Sequence, residues 1–90
     1  MYYVVIHHFI QENITEDMMK PHVEYLRGLV ESGKLVITGP FMDDRRGGMF
    51  IVEVENEDEL GAIVDKDPAI ISGLSESEVR PYKIVFQRSN

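Results

Sequence analysis

Cysteine and tryptophan are both absent from this chain of 90 residues, and basic residues are scarce. Without cysteine there is no disulfide framework and no thiolate chemistry, and a reducing compartment is permitted. Lysine and arginine number 9 against 16 acidic residues, a formal net charge of -7. A surface of that sign lacks the basic footprint that nucleic acid and anionic membranes require. It leaves room for a locally positive pocket that takes an acidic small molecule. No apolar run approaches the length of a membrane span. The opening residues, Met1-Tyr2-Tyr3-Val4-Val5-Ile6-His7-His8, have neither the charged start nor the small-residue cleavage site of a signal peptide. Repeats, low-complexity segments and linkers are missing too. The expectation is one cytoplasmic domain over residues 1–90, small enough to gain from oligomerisation.

What is present reads as alternating strands and helices. Tyr2–Phe9 is β-branched and aromatic and too short for an ordinary helix, so it is the first strand. Asn13 followed by Glu16 fits the start of a helix that Gly33 stops. Pro21 either kinks that helix or sits in its opening turn. Residues 34–42 form a second strand, broken near its end by Gly39-Pro40, and residues 43–48 connect it to a third over 49–55. A second helix starts at Asn56 or Asp58 and ends near Lys66, because Pro68 pushes Asp67 out of helical geometry. Residues 69–74 add one further turn, and residues 79–86 form a fourth strand with Pro81 marking an edge or bulge.

The order βαββαβ is the ferredoxin-like arrangement, a four-stranded antiparallel sheet with both helices on one face. The strands show no clean alternation, although a sheet with one solvated face should alternate. The second face is therefore expected to pack on another copy, giving a homodimer joined sheet to sheet.

Two polar residues interrupt the apolar stripes of the helices. The first stripe reads Met18, His22, Leu26, Leu29, Val30, and the second reads Leu60, Ile63, Val64, Asp67. Tracing chain direction through the topology brings the start of the first helix and the end of the second to the same end of the sheet. A base and a carboxylate turned into one core are costly unless they meet each other or a ligand. The plain reading of His22 is a core histidine satisfied by hydrogen bonding, and that of Asp67 is a turn residue before proline. Their convergence sets against this a second reading, which the resemblance described below favours: a pocket in which the carboxylate fixes the imidazole tautomer and leaves the other ring nitrogen to work.

Other candidates are weaker. His7 and His8 are strand neighbours and face opposite sides, so one of them points toward His22. His8 is carried as a substrate-binding candidate with Arg80, expected at the start of the fourth strand, and Ser72, which follows Asp67 closely. Each has an ordinary surface reading as an edge histidine, a salt bridge or a backbone-bonding loop serine. A two-His-one-carboxylate metal triad lacks supporting spacing, so no metal is expected. Arg45 and Arg46 read as solvated hairpin residues, and Gly47-Gly48 lacks the strand-to-helix context of a phosphate loop. Tyr2, Tyr3 and Phe50 sit as in RNA-binding sheets of this fold, but the accompanying signature and the charge are wrong.

The segments Lys20-Pro21-His22-Val23-Glu24-Tyr25-Leu26, Glu31-Ser32-Gly33-Lys34-Leu35, Thr38-Gly39-Pro40, Asp65-Lys66-Asp67-Pro68 with Gly73, and Val79-Arg80-Pro81-Tyr82-Lys83 carry a resemblance over essentially the whole chain. In this ordered set the chain resembles the YciI-like (YCII-related) family. That resemblance implies a ferredoxin-like fold and a dimeric α/β barrel, similar to muconolactone isomerases, one branch of which dehalogenates chlorinated muconolactones. It also implies a histidine–aspartate active site, here His22 and Asp67. Relatives often carry arginine three residues before the histidine, where this chain has Met19. The expected function is cofactor-independent acid–base chemistry on a small organic acid, lactone or enol. His22 would serve as acid or base, Asp67 would orient it, and first-turn amides of the first helix would stabilise an oxyanion. The alternatives are a binding or regulatory module using the same pocket, or a pair that only stiffens the fold.

Overall fold

The computed structural model describes residues 1–43 and 46–89. Its elements run β1 (Tyr2–Phe9), α1 (Glu16–Glu31), β2 (Leu35–Pro40), β3 (Gly47–Glu53), α2 (Glu57–Asp65), α3 (Pro68–Ile71) and β4 (Ser75–Tyr82). The strands form one antiparallel sheet in the order β2-β3-β1-β4, which is the ferredoxin-like arrangement with a short extra helix before the last strand. Of the connection between β2 and β3, residues 44 and 45 lie outside the described residues. Arg46 within it donates to the Gln11 carbonyl, so it ties the hairpin to the β1–α1 loop rather than being simply solvated.

β1 alternates strictly. Tyr3, Val5 and His7 are buried under the helices, while Tyr2, Val4 and Ile6 are half-buried on the other face and His8 is exposed. The core joins Tyr3 and Val5 to Phe50, Val52 and Val54 across the sheet, with Leu26, Leu60 and Ile63 from the helices above. Burying such side chains supplies the main drive to fold, roughly 1.5–3 kcal/mol each when complete. Tyr25 adds a polar tie by donating its hydroxyl to the Ile63 carbonyl at 2.6 Å, which fixes α1 against α2.

Local chemistry moves several boundaries away from the sequence expectation. Thr15, not Asn13, caps α1: its Oγ1 accepts from the Met18 amide at 3.2 Å. Asn13 instead takes a left-handed turn at φ 59°, a conformation asparagine tolerates. α1 starts at Glu16 and runs through Pro21, so this proline lies inside the helix and not in its opening turn. β4 starts at Ser75, four residues earlier than its apolar content indicates. It is an edge strand whose backbone pairs with β1 from Ser75↔Phe9 to Tyr82↔Tyr2, so polar side chains do not disqualify it. Its later position for Pro81 suits an edge, where a missing amide is tolerated. Among the described residues no helix is long and apolar enough to cross a membrane.

Candidate active site

Asp67 follows Lys66, the C-cap of α2, and opens α3. Pro68 forces it into extended geometry at φ -64° and ψ 122°, and its Oδ1 accepts from the Ala69 amide at 2.9 Å as the helix cap. The ordinary turn role is thus real. The same oxygen also lies 2.7 Å from Nδ1 of His22, which α1 delivers from its inner face. His22 is 3% exposed and Asp67 4% exposed. An ionised carboxylate only accepts, so Nδ1 carries the proton and donates it to Asp67. Nε2 is then the nitrogen left with a lone pair in the neutral ring.

His22 lines a cavity of about 560 Å³ between α1 and the ends of β1, β2 and β3. Asp67 does not line it and stands behind the imidazole. The walls are largely apolar, formed by Phe9, Met19, Val23 and Leu26 among others, and among the described residues that line it Arg27 is the one lysine or arginine. Thr38 also reaches the cavity, but its hydroxyl is spent on the Met49 carbonyl at 3.2 Å. Among the described residues no group of three His, Cys, Asp or Glu has the arrangement to hold a metal ion.

His7 lies beside His22. The two ring centroids are 5.1 Å apart at 69°, and Phe9 stacks edge-on against both, 5.3 Å from His7 and 6.4 Å from His22. His7 is 6% exposed, and its Nδ1 is buried with no hydrogen-bond partner. Burial, with the facing His22 imidazole next, pushes its pKa down from 6.5 to about 4; the Asp67 carboxylate partly offsets this and His8 adds slightly to it. Gly48 makes this position possible, because a Cβ there would lie 3.1 Å from the His7 ring and 2.5 Å from the Gly39 carbonyl oxygen. Asp67 reaches Tyr25 as well: burial and that carboxylate together raise the phenol pKa.

The structure brings His22 and Asp67 together and separates the remaining candidates from them. His8 faces the opposite side of the sheet, because the pleat gives the place beside His22 to His7. Arg80 pairs with Val4 near the far end of β4 and on the open face. Its expected position assumed a strand starting at residue 79, and the earlier start at Ser75 reverses which end it occupies. Ser72 caps the C-terminus of α3 and is exposed outside the cavity lining. The first turn of α1 offers less to an oxyanion than expected, since the Met18 and Met19 amides already donate to Thr15. Arg27 is a cavity residue that the sequence did not single out, because it lies one residue after Leu26 on the helix and reads as surface. His7 is the one of the two strand histidines that faces His22, a choice that needs β1's inward face assigned through Tyr3 and Val5.

Comparison with known proteins gives a consistent picture. The sequence profile of the YCII-related domain matches residues 1–83. The uncharacterized protein YjpA of Bacillus subtilis (strain 168) is 30% identical over 73 residues, 81% of this chain and 85% of that protein. The 5-chloro-2-hydroxyhydroquinone dehydrochlorinase TftG of Burkholderia phenoliruptrix AC1100, solved with 2,5-dihydroxybenzoquinone, superposes with a TM-score of 0.78 at 24% identity. The match covers 92% of this chain and 94% of that one. A crystal structure of an antibiotic biosynthesis monooxygenase gives a TM-score of 0.60 at 15% identity, over 94% and 99% of the two chains.

Proposed function

Because this chain belongs to the YCII-related domain family, we propose that it is a small enzyme performing cofactor-independent acid–base chemistry on a small organic acid, enol or lactone. The observation that carries this reading is the buried 2.7 Å contact between His22 Nδ1 and Asp67 Oδ1, with His22 lining an apolar cavity of about 560 Å³. His22 Nε2 takes a proton from a carbon next to a carbonyl, giving an enolate and an imidazolium held by Asp67. The proton then returns at another carbon, which is isomerisation, or the enolate expels a leaving group from the adjacent carbon, which is elimination. Elimination is the chemistry named for the dehydrochlorinase of similar fold, and its quinone ligand motivates cyclic enols as first substrates.

We assign the open sheet face to a second copy of this chain. By register, Val4 lies across from Ile51 and Ile6 across from Met49, and Ile37 flanks Ile51, so an apolar patch continues across three strands. Among the described residues no helix covers it, and such a patch marks an interaction surface. Light scattering at micromolar concentration should report twice the chain mass; a clean monomer removes this assignment.

The test of the activity is a turnover screen over lactones, keto acids and chlorinated cyclic enols with wild type, His22→Ala and Asp67→Asn. His22→Ala should lose roughly 10²- to 10⁴-fold in kcat while remaining folded. Full activity in that variant overturns the role of His22. Ligand binding without any turnover in wild type reassigns the protein as a binding module.

A further inference from the structure

The His22–Asp67 pair leaves one polar group in the cavity wall unexplained. His7 is 6% exposed, lines the cavity, and has a buried Nδ1 without a partner. A buried donor or acceptor left without a partner loses its hydration with nothing in return, so its presence among apolar neighbours calls for a compensating use. The neighbours do not supply one. Phe9, Phe50 and His22 meet the ring edge-on or tilted, Gly48 lies under it, and Asp67 Oδ1 is engaged by His22 and Ala69.

We propose that His7 is a ligand-contacting residue: one of its ring nitrogens hydrogen-bonds an oxygen of a small, apolar-bodied cyclic molecule seated against His22. This deepens the reading of the cavity given above and rests on it. The lining dictates the ligand class. Walls of Phe9, Met19, Val23 and Leu26 select an apolar body, and polar contacts come from the His7–His22 corner, with Arg27 the only lysine or arginine among the described residues that line it. A hydroxyl or carbonyl on a ring meets both demands. The two imidazoles divide the work. His22 is backed by a carboxylate and handles the proton, whereas His7 has no carboxylate of its own and stays uncharged near neutral pH. A neutral imidazole donates to an oxygen without competing for the proton being moved, as a polarising group should.

The experiment follows the ring nitrogens of His7, His8 and His22 by NMR while wild type, His7→Phe and His7→Gln are titrated with 2,5-dihydroxybenzoquinone, phenol and benzene. In wild type both oxygenated rings should bind more tightly than benzene and shift the His7 nitrogens. His7→Phe should lose about tenfold in affinity for the oxygenated rings and none for benzene, with partial recovery in His7→Gln. Unmoved His7 nitrogens on binding, an unchanged preference in His7→Phe, or benzene binding as tightly as phenol each overturn the inference. The wild-type spectra decide the question even where a variant does not fold. His22-dependent turnover that survives His7→Phe with unchanged kcat and KM breaks this inference alone. A His7-dependent preference without any turnover breaks the enzymatic reading and leaves this contact standing.

Discussion

One peptide bond separates His7 from His8, and the two imidazoles share almost nothing else. His7 points under the helices, packs on Gly48 and His22, and has its pKa pushed down to about 4. His8 points to the open face, exposed, across from Gly47 on one side and Glu76 on the other. The difference comes from the pleat alone. On a strand the chemistry available to a histidine is set by which face its neighbours bury, so the apolar company of Tyr3 and Val5 makes His7 a cavity residue. The same division separates the whole sheet into a face that holds the candidate chemistry and a face suited to a second copy.

The strongest way to break the covered face is to remove the carboxylate behind His22. Asp67→Ala deletes one partner of a buried pair and also the cap of α3. Such losses cost about 3–5 kcal/mol for the pair, with the cap adding about 1. The variant should show a large drop in urea midpoint, and Asp67→Asn a smaller one, because an amide oxygen in that place still accepts from both Ala69 and His22 Nδ1. Equal effects of the two would mean that the hydrogen bonds accepted by that oxygen contribute nothing and that only the carboxylate charge matters. Next in size is Gly48→Ala, which places a Cβ 2.5 Å from the Gly39 carbonyl oxygen and 3.1 Å from the His7 ring. Overpacking of this kind costs about 1–3 kcal/mol. It should also displace the His7 ring signals; a neutral substitution would contradict the close seat described for that ring.

Acid sharpens the comparison further. Burial first, and the facing His22 second, lower the His7 pKa from 6.5 to about 4 in the folded chain. Between those values the unfolded chain binds the extra proton, so stability rises with pH. The contribution is therefore complete above about pH 6.5 and is lost as the pH falls toward about 4. Urea midpoints of wild type and His7→Phe across that range isolate it, since the carboxylates titrate in both. The wild type should lose more stability on acidification than the variant. Parallel curves would show that His7 takes up its proton as readily folded as unfolded.

Much of this was legible in the residues, for identifiable reasons. The stripe positions of His22 and Asp67 follow from helical periodicity, and their meeting follows from chain direction in the βαββαβ order, so neither needed side-chain detail. β4 was misplaced because Ser75, Glu76, Ser77 and Glu78 carry no strand-like apolar content. An edge strand held by backbone pairing to β1 does not require it. That single shift carried Arg80 to the wrong end of the sheet. Asn13 and Thr15 are both good caps in sequence, and only the backbone decides between them: Asn13 adopts the left-handed turn and Thr15 the extended geometry. Arg27 could not be told from a solvated helix residue, because entering the cavity depends on how far the apolar wall extends above β2 and β3.

The smallest expected effect tests the other side of the comparison. His8 does not line the cavity, and it stands across from Glu76 on the face opposite the buried side chains of β1. A cross-strand pair of this kind contributes roughly 0.2–1 kcal/mol. His8→Ala should therefore shift the urea midpoint by little, and leave turnover and the binding of 2,5-dihydroxybenzoquinone unchanged. His7→Ala, one residue away, should disturb both. If His8→Ala instead impairs binding while His7→Ala does not, the ligand lies on the open face, and the cavity beside His22 is not the site of the chemistry. If His8→Ala changes only the mass in light scattering, His8 belongs to the contact between copies, and the two faces keep the separate roles that the pleat gives them.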